Sequence, residues 1–219
     1  MTETATGTIL RVRPLTESSL IVQWLAEGQG RLSTVAKGAR QPKSSFRGKL
    51  DLFYEADFSF VRARRSELHI LREVSLRDPR ALIRRDLGYL RQAAYCAALI
   101  EQATETATPL PVIPELMRGF LDALPLAPCS PHMLMAFELK LLAELGFEPN
   151  WAETRLNAGA TAVARTLMTG SWESFSRLRP SATQIADLRQ FLHGFLIYHL
   201  GRIPRNRMAA LGETVILHR

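Results

Sequence analysis

The sequence predicts an α+β protein with two domains, a five-stranded barrel followed by an all-α helical domain. Two patterns predict this fold class. Apolar residues alternate with a period of two in the first third of the chain, and repeat at three- and four-residue steps in the remainder. The pattern changes at Asp78 and Pro79, so we place the domains at residues 1–79 and 80–219. With 219 residues, 47% of them hydrophobic, the chain is long enough to bury hydrophobic cores.

Five runs in the first third have the composition of β-strands. They cover residues 8–13, 19–26, 31–38, 50–62 and 67–74. In the fourth run, apolar residues occupy alternate positions from Leu52 to Phe60, which places one face on a core. In the fifth run we expect Leu68, Ile70 and Val74 to share a face. Five antiparallel strands of this length commonly close into a barrel of the oligonucleotide-binding (OB) type, and an SH3-like barrel is the alternative.

The remaining chain predicts helices with recognisable ends. Asp78 is a predicted N-cap, with Pro79 at the first helical position and apolar periodicity continuing to Ile100. A short helix should follow Pro111 and Pro114.

Two later helices have clearer boundaries. One should begin at Ser130 and end at Gly146. The other should begin with a capping box formed by Ser181 and Gln184, and end at Gly201. The stretch between these two helices predicts no clear element.

Positive charge is concentrated near the N-terminus. The chain has a net charge of +7, and residues 1–80 hold 14 basic against 9 acidic side chains. The run from Arg31 to Leu50 contains six cations and no acid. These cations are Arg31, Lys37, Arg40, Lys43, Arg47 and Lys49. An acid-free basic segment of this kind predicts a polyanionic partner, the alternative being an ordinary solvated loop.

Phosphate binding is the chemistry that this segment favours. It is rich in Gly, Pro and Ser, so we expect an exposed, flexible loop. The backbone N–H of Gly38 and the hydroxyls of Ser44 and Ser45 can contact phosphate oxygens, while Lys and Arg supply most of the sequence-independent affinity. Three arginines at the next predicted hairpin extend the candidate patch. They are Arg62, Arg64 and Arg65.

Aromatic residues provide a second candidate contact. Phe46 lies inside the basic segment and is a candidate platform for stacking an unpaired base, a contact that contributes about 1–3 kcal/mol in single-strand binders. Trp24 and Phe53 lie in strand patterns, so we expect them in the core.

Several segments resemble the bacterial RecO family of DNA repair proteins. Residues 36–40 (AKGAR), Lys43, Ser44, Leu50 and Phe53 resemble the family's N-terminal signature. Residues 17–22 with Gly30 are similar to its opening. Residues 137–142 (FELKLL), followed by 145–147 (LGF) and Pro149, resemble its central helix. The resemblance covers residues 8 to 149.

The resemblance implies a recombination mediator with an N-terminal OB barrel and a helical C-terminal domain. Such a protein binds single- and double-stranded DNA and anneals complementary strands without nucleotide hydrolysis. It contacts the acidic C-terminal tail of single-strand-binding protein and, with RecR, helps load RecA. On this chain the DNA role falls on Lys37, Arg40 and Lys43, with Arg31, Arg47 and Lys49 as neighbours. The acidic tail requires an apolar groove rimmed by cations, which we expect in the helical domain.

The chain departs from the family at one point. Many members hold a zinc ion with four cysteines after the Gly-Phe-x-Pro segment, but residues 150–179 contain neither Cys nor His. We therefore expect no zinc ribbon, because the coordination shell has no ligands. Packing should hold this region instead. The candidates are Trp151, Leu156, Leu167, Trp172 and Phe175.

The sequence also argues against other classes of function. It has no phosphate-binding P-loop, nucleophile elbow or dinucleotide fingerprint, so we expect neither an enzyme nor a cofactor. The five His and two Cys are scattered and predict no metal site. No signal peptide or long apolar run is present, so we expect a cytoplasmic, nucleoid-associated protein without a membrane partner. The alternative functions are an OB-fold RNA- or ribosome-binding protein that uses the same basic loop, and a scaffold whose charge is incidental.

Overall fold

The chain folds into two compact units in a computed structural model that describes residues 1–212. The first unit comprises Met1–Ala81 and Thr104–Arg118, and the second comprises Leu82–Ala103 and the described residues from Gly119 onward. The first unit is therefore discontinuous in sequence.

The first unit contains a closed barrel of five strands. They are β1 (Thr2–Pro14), β2 (Leu20–Ala26), β3 (Gly30–Ala36), β4 (Glu55–Val61) and β5 (Leu68–Asp78). The order around the barrel is β1-β2-β3-β5-β4, and only β3 and β5 pair in parallel, from Ser33 opposite Leu68 to Val35 opposite Ile70. This Greek-key closure is that of the OB barrel, so the predicted α+β fold is confirmed and the SH3-like alternative is excluded.

Aromatic rings fill the barrel. Trp24 stacks on Phe58 with ring centroids 4.0 Å apart, and its indole N–H donates a hydrogen bond to Thr34 Oγ1 at 2.9 Å. Phe53 is fully buried at a left-handed backbone position (φ 65°), from which its N–H donates to the carbonyl of Ile9 at 2.8 Å. The expectation that Trp24 and Phe53 lie in the core is confirmed.

The predicted face of β5 is wrong. Leu71 and Val74 are both buried, although three positions separate them, whereas Leu68 and Ile70 are partly exposed. The reason is a β-bulge at Arg72, which is the extra residue between the pairs Phe60–Leu71 and Ser59–Glu73. A bulge reverses the inward and outward alternation beyond it.

The second unit is helical. Its helices are α1 (Leu87–Ala103), the C-terminal part of α2 (Val112–Ala123), α3 (Pro131–Glu144), α4 (Ala158–Thr169), α5 (Trp172–Phe175), α6 (Ala182–Leu200) and α7 (Arg207–Ala210), with short 3-10 helices at Ala81–Arg85 and Leu124–Leu126. Helix α3 packs against α1, α4, α5 and α6. None of the helices within residues 1–212 is long and apolar enough to cross a membrane.

Most predicted helix ends are confirmed. Ser130 is the N-cap of α3, and the capping box of α6 forms between Ser181 and Gln184, with bonds of 2.8 and 3.2 Å. Gly201 ends α6 in the left-handed conformation (φ 73°). The predicted start after Asp78 is wrong, because Asp78 closes β5 and α1 begins only at Leu87.

The region without predicted structure is held by packing, as expected. It forms α4 and α5, and the side chains of Leu167 and Phe175 are fully buried. Trp172 packs edge-on against Phe120 at 5.5 Å. The ammonium of Lys140 donates to the carbonyls of Met168 and Gly170 at 3.0 and 2.8 Å, at the C-terminal end of α4, where a cation is stabilising.

A buried ion pair joins three helices of this unit. Arg207 of α7 donates two hydrogen bonds to the carboxylate of Glu138 in α3, at 2.7 and 2.8 Å, and both side chains are almost fully buried. The hydroxyl of Tyr95 in α1 donates to the same carboxylate at 2.6 Å. Burial beside Glu138 raises the pKa of Tyr95 well above its usual value.

Candidate nucleic-acid interface

Residues 37–49, which we name the basic loop, follow β3 and lead towards β4 in a series of turns. Gln41 N–H donates to Gly38 O at 3.0 Å, Ser44 N–H to Gln41 O at 3.1 Å, and Lys49 N–H to Phe46 O at 3.0 Å. Local backbone hydrogen bonds therefore fold the basic loop into a series of turns, and its predicted flexibility stays a prediction.

The basic loop is also fixed to the barrel at two points. Phe46 belongs to the hydrophobic cluster of the barrel core and is 8% exposed. The backbone N–H and the guanidinium of Arg40 donate to the carbonyls of Ser18 and Thr16, each at 3.0 Å, in the turn between β1 and β2.

The burial of Phe46 contradicts its predicted role as a stacking platform. A stacking ring must present a free face to a base. The ring of Phe46 instead packs among core residues, and the loop residues on either side of it are exposed. Its place in the structure is that of an anchor for the loop.

The cations of the basic loop are accessible to solvent. Lys37, Arg40, Lys43 and Arg47 are exposed and Lys49 is half-buried. The guanidinium groups of Arg40 and Arg47 donate to backbone carbonyls, that of Arg47 to Pro42 O at 3.4 Å. Within residues 1–212 none of the five forms an ion pair with a carboxylate. The loop therefore presents a concentrated positive field.

Arg31 does not belong to this surface. Its Nε donates to Thr104 Oγ1 at 2.8 Å, and its backbone carbonyl accepts the N–H of Ala107 at 2.7 Å. These bonds attach Thr104–Arg118 to β3, so the side chain has a structural role in the first unit.

The hairpin arginines are separated from the basic loop. They lie between β4 and β5, just before Leu68. Because β5 runs parallel to β3 and Leu68 pairs with Ser33, the hairpin is at the N-terminal end of β3. The basic loop leaves the opposite end of β3, at Ala36. Arg62 is held by Glu3 through two bonds of 2.9 and 2.8 Å, and the bond from Arg62 lowers the pKa of Glu3. Arg64 and Arg65 are exposed. The predicted single patch is thus two patches.

Two cations that sequence reasoning missed lie near the basic loop. Arg13 is exposed at the end of β1, next to the turn that binds Arg40. Arg72, the bulge residue of β5, lines a groove of about 560 Å³ with Lys49 and Ser45. Neither residue belongs to a charge cluster in the sequence. The exposed position of Arg72 follows from the β-bulge, which is visible only once β4 and β5 are paired.

Two carboxylates, those of Asp57 and Glu73, also line this groove, and that of Asp57 is partly neutralised. Asp57 accepts hydrogen bonds from Thr6 Oγ1 at 2.6 Å and from Arg77 at 2.7 Å, and these bonds lower its pKa. The hydroxyls of Ser59 and Ser75 also line the groove. Cations and hydroxyls together are the groups that proteins use to contact phosphate oxygens.

The architecture defines a class of protein: an OB barrel carrying an acid-free cationic loop, joined to a helical unit. Comparison with known families identifies the family within that class to which the chain belongs. Residues 1–80 match the model "Recombination protein O N terminal", and residues 84–154 match "Recombination protein O C terminal". The chain belongs to the RecO family, as the resemblance in the sequence predicted.

Individual relatives agree with this assignment. The chain is 29% identical over 231 residues to the DNA repair protein RecO of Anaeromyxobacter sp. (strain K), covering 90% of this chain and 91% of the relative. It is 31% identical over 144 residues to that of Myxococcus xanthus, covering 66% and 59%. The RecO protein of Symbiobacterium thermophilum is 31% identical over 163 residues, covering 72% and 61%.

Proposed function

We propose that this chain is a DNA repair and recombination mediator that binds single- and double-stranded DNA and anneals complementary strands, without acting as an enzyme. The observation that carries the proposal is the basic loop, whose five cations are unneutralised on a folded backbone. Membership of the RecO family and the names of the relatives support the same role.

Charge neutralisation is the mechanism. Two complementary strands repel each other through their phosphates, and Lys and Arg side chains on the loop lower that repulsion while releasing counterions. Because Phe46 and Arg40 fix the loop, less conformational entropy is lost when its cations engage a strand. The contacts are with phosphates, so binding should be independent of base sequence.

The proposed surface differs from the set predicted from sequence. It consists of Lys37, Arg40, Lys43, Arg47, Lys49, Arg13 and Arg72. The surface excludes Arg31, which bonds to Thr104, and Arg62, which bonds to Glu3. It also excludes Phe46, which packs in the barrel core. Arg64 and Arg65 form a separate contact at the other end of the barrel.

We further propose the partners that family membership supports. In the bacterial cytoplasm, at the nucleoid, the chain would contact the C-terminal tail of single-strand-binding protein and act with RecR in loading RecA. An acidic tail with apolar residues requires cations around an apolar groove.

Salt-dependent binding tests the DNA interface. Labelled single-stranded DNA, duplex DNA and RNA of equal length would be titrated with the chain at several salt concentrations, and annealing of complementary strands followed separately. The variant Lys37→Ala/Arg40→Ala/Lys43→Ala should bind single strands more weakly, and its log–log salt slope should fall by about 2 units, at about 0.7 per lost phosphate contact.

A charge-matched variant controls for net charge. Arg177→Ala/Arg202→Ala/Arg205→Ala removes three exposed cations from the helical unit and should leave the slope unchanged. Equal affinity of the loop variant and the wild type would contradict the proposed site. Strong preference for RNA, or no annealing, would favour the RNA- or ribosome-binding alternative.

A further inference from the structure

Helix α6 carries a row of aromatic rings on one face. Phe191, Phe195 and His199 follow each other at four-residue steps, which stacks their side chains along the helix. The ring centroids of Phe191 and Phe195 are 5.3 Å apart, and those of Phe195 and His199 are 4.4 Å apart. Phe147 extends the row, 4.6 Å from His199.

The rings of Phe191, Phe195 and His199 form the aromatic floor of an open groove within the second unit. The groove has a volume of about 890 Å³ and lies between α6 and residues 148–157. Tyr198 also lines it and is 84% exposed. A large aromatic side chain so exposed beside other rings indicates a binding surface.

The charge around the groove is negative. Among the described residues that line it, Glu148, Glu153 and Asp187 are acidic and Arg155 is the one arginine. Glu148 and Glu153 are exposed, and neither forms an ion pair within the part of the chain described. Asp187 accepts a hydrogen bond from the uncharged Asn157 Nδ2 at 2.9 Å. This acidic rim belongs to a chain whose net charge is +7.

Aromatic faces combined with carboxylates select cations. A guanidinium or ammonium group lies favourably over an aromatic ring and forms charge-assisted hydrogen bonds with carboxylates. An acidic peptide or a phosphate chain would meet repulsion from the same rim. The groove therefore differs in chemistry from the cation-rimmed groove required by an acidic tail.

We propose that this groove binds a basic peptide segment of a partner protein, in which Lys or Arg residues are interspersed with apolar residues. Asp187 and His199 are 12 positions apart along α6, which corresponds to about 18 Å. An extended peptide of about five or six residues covers that length. Its apolar side chains would lie on the aromatic floor, and its cations would face Glu148 and Glu153.

Peptide binding to the full chain tests the proposal. The probe is a rhodamine-labelled RFKAFR peptide, and the comparison is its charge-reversed counterpart EFEAFE, both followed by fluorescence anisotropy. We expect RFKAFR to bind although the chain is basic overall. The variant Glu148→Gln/Glu153→Gln should weaken its binding about tenfold, and Tyr198→Ala should weaken it as well.

Matched controls separate groove binding from bulk charge. Glu173→Gln removes an exposed carboxylate of the same unit that does not line the groove, and should leave RFKAFR affinity unchanged. Equal RFKAFR affinity for the wild type and the double variant overturns the proposal, as does a complete lack of RFKAFR binding. Binding of EFEAFE that is lost in Tyr198→Ala also overturns it, because the groove would then accept acidic peptides.

Discussion

The ring of Phe46 lies in the barrel core while its neighbours Ser45 and Arg47 are exposed. Phe46→Ala should lower the free energy of unfolding by about 3 kcal/mol, because it removes a buried ring and leaves a cavity. DNA affinity should fall with it, since the loop loses its anchor. Phe46→Leu keeps an apolar anchor and should retain affinity, as measured by urea unfolding and anisotropy. Loss of affinity in Phe46→Leu at unchanged stability would instead indicate base stacking.

His69 gives the barrel a dependence on pH. Burial, together with the charge of Arg62, lowers the pKa of His69 below its usual value of about 6.5, while Glu3 and Glu67 oppose that shift. Below about pH 6.5 the imidazole is therefore protonated more readily in the unfolded chain than in the folded chain. The contribution of neutral His69 to the free energy of unfolding is present above that pH and is lost as pH falls.

The variant His69→Gln tests this dependence. In the wild type, the backbone N–H of Ala63 donates to His69 Nδ1 at 3.3 Å. Glutamine does not titrate, and its side-chain oxygen can accept the same hydrogen bond. Between pH 8 and pH 5.5 the wild type should lose more unfolding free energy than His69→Gln, measured by urea denaturation. Replacing the exposed His193 by Gln should leave the wild-type profile intact. Parallel profiles for wild type and His69→Gln would show that His69 has no such effect.

Sequence reasoning identified the basic segment but could not sort its members. Arg31 and Lys37 look alike in the sequence, yet Arg31 bonds to Thr104, 73 residues away. The partner of Arg62 is Glu3, 59 residues away. Such long-range contacts decide whether a cation is available, and no local pattern encodes them. The burial of Phe46 was hidden for the same reason, because alternation rules apply to strands and not to turns.

At the scale of elements, helix ends were predictable because capping is a local interaction. The capping box of Ser181 and Gln184 needs only residues three positions apart. Strand faces were less predictable, because the bulge at Arg72 depends on pairing with β4. The start of α1 was misplaced because Asp86, whose Oδ1 accepts the N–H of Gly88 at 2.6 Å, and not Asp78, lies at its N-terminus.

The cap of α6 leads to a prediction at this scale. Ser181→Ala should lower the free energy of unfolding by about 1 kcal/mol, because it removes the acceptor for the Gln184 N–H. Ser181→Asp should preserve stability, since aspartate is an equally good N-cap. Urea unfolding measures both. Equal destabilisation by the two substitutions would contradict the role of the cap.

At the scale of the whole molecule, the first unit depends on a segment that follows β5 by more than twenty residues. Thr104–Arg118 holds Arg31 through Thr104, and its Arg118 forms ion pairs with Glu27 and Glu55. Gly30 is tightly fitted to this segment, because a Cβ there would clash with the carbonyl oxygen of Thr108.

A fragment experiment tests this dependence. The fragment 1–81 contains Trp24 as its single tryptophan, so fluorescence reports unfolding of its barrel. A synthetic peptide of residues 104–118 should raise the urea midpoint of the fragment progressively with peptide concentration, because it binds the folded form. A scrambled peptide of the same composition should have no effect. A midpoint independent of the native peptide would contradict the contribution of this segment.

The interrupted layout of the first unit limits how such a chain can recombine with its relatives at the gene level. A crossover after residue 81 would inherit the strands from one parent and Thr104–Arg118 from the other, and a crossover after residue 118 would divide the second unit instead. Every single exchange point therefore mixes parental contacts within one unit. Functional chimaeras of this protein should need three exchange points, after residues 81, 103 and 118, or compensating changes at positions such as Arg31 and Arg118.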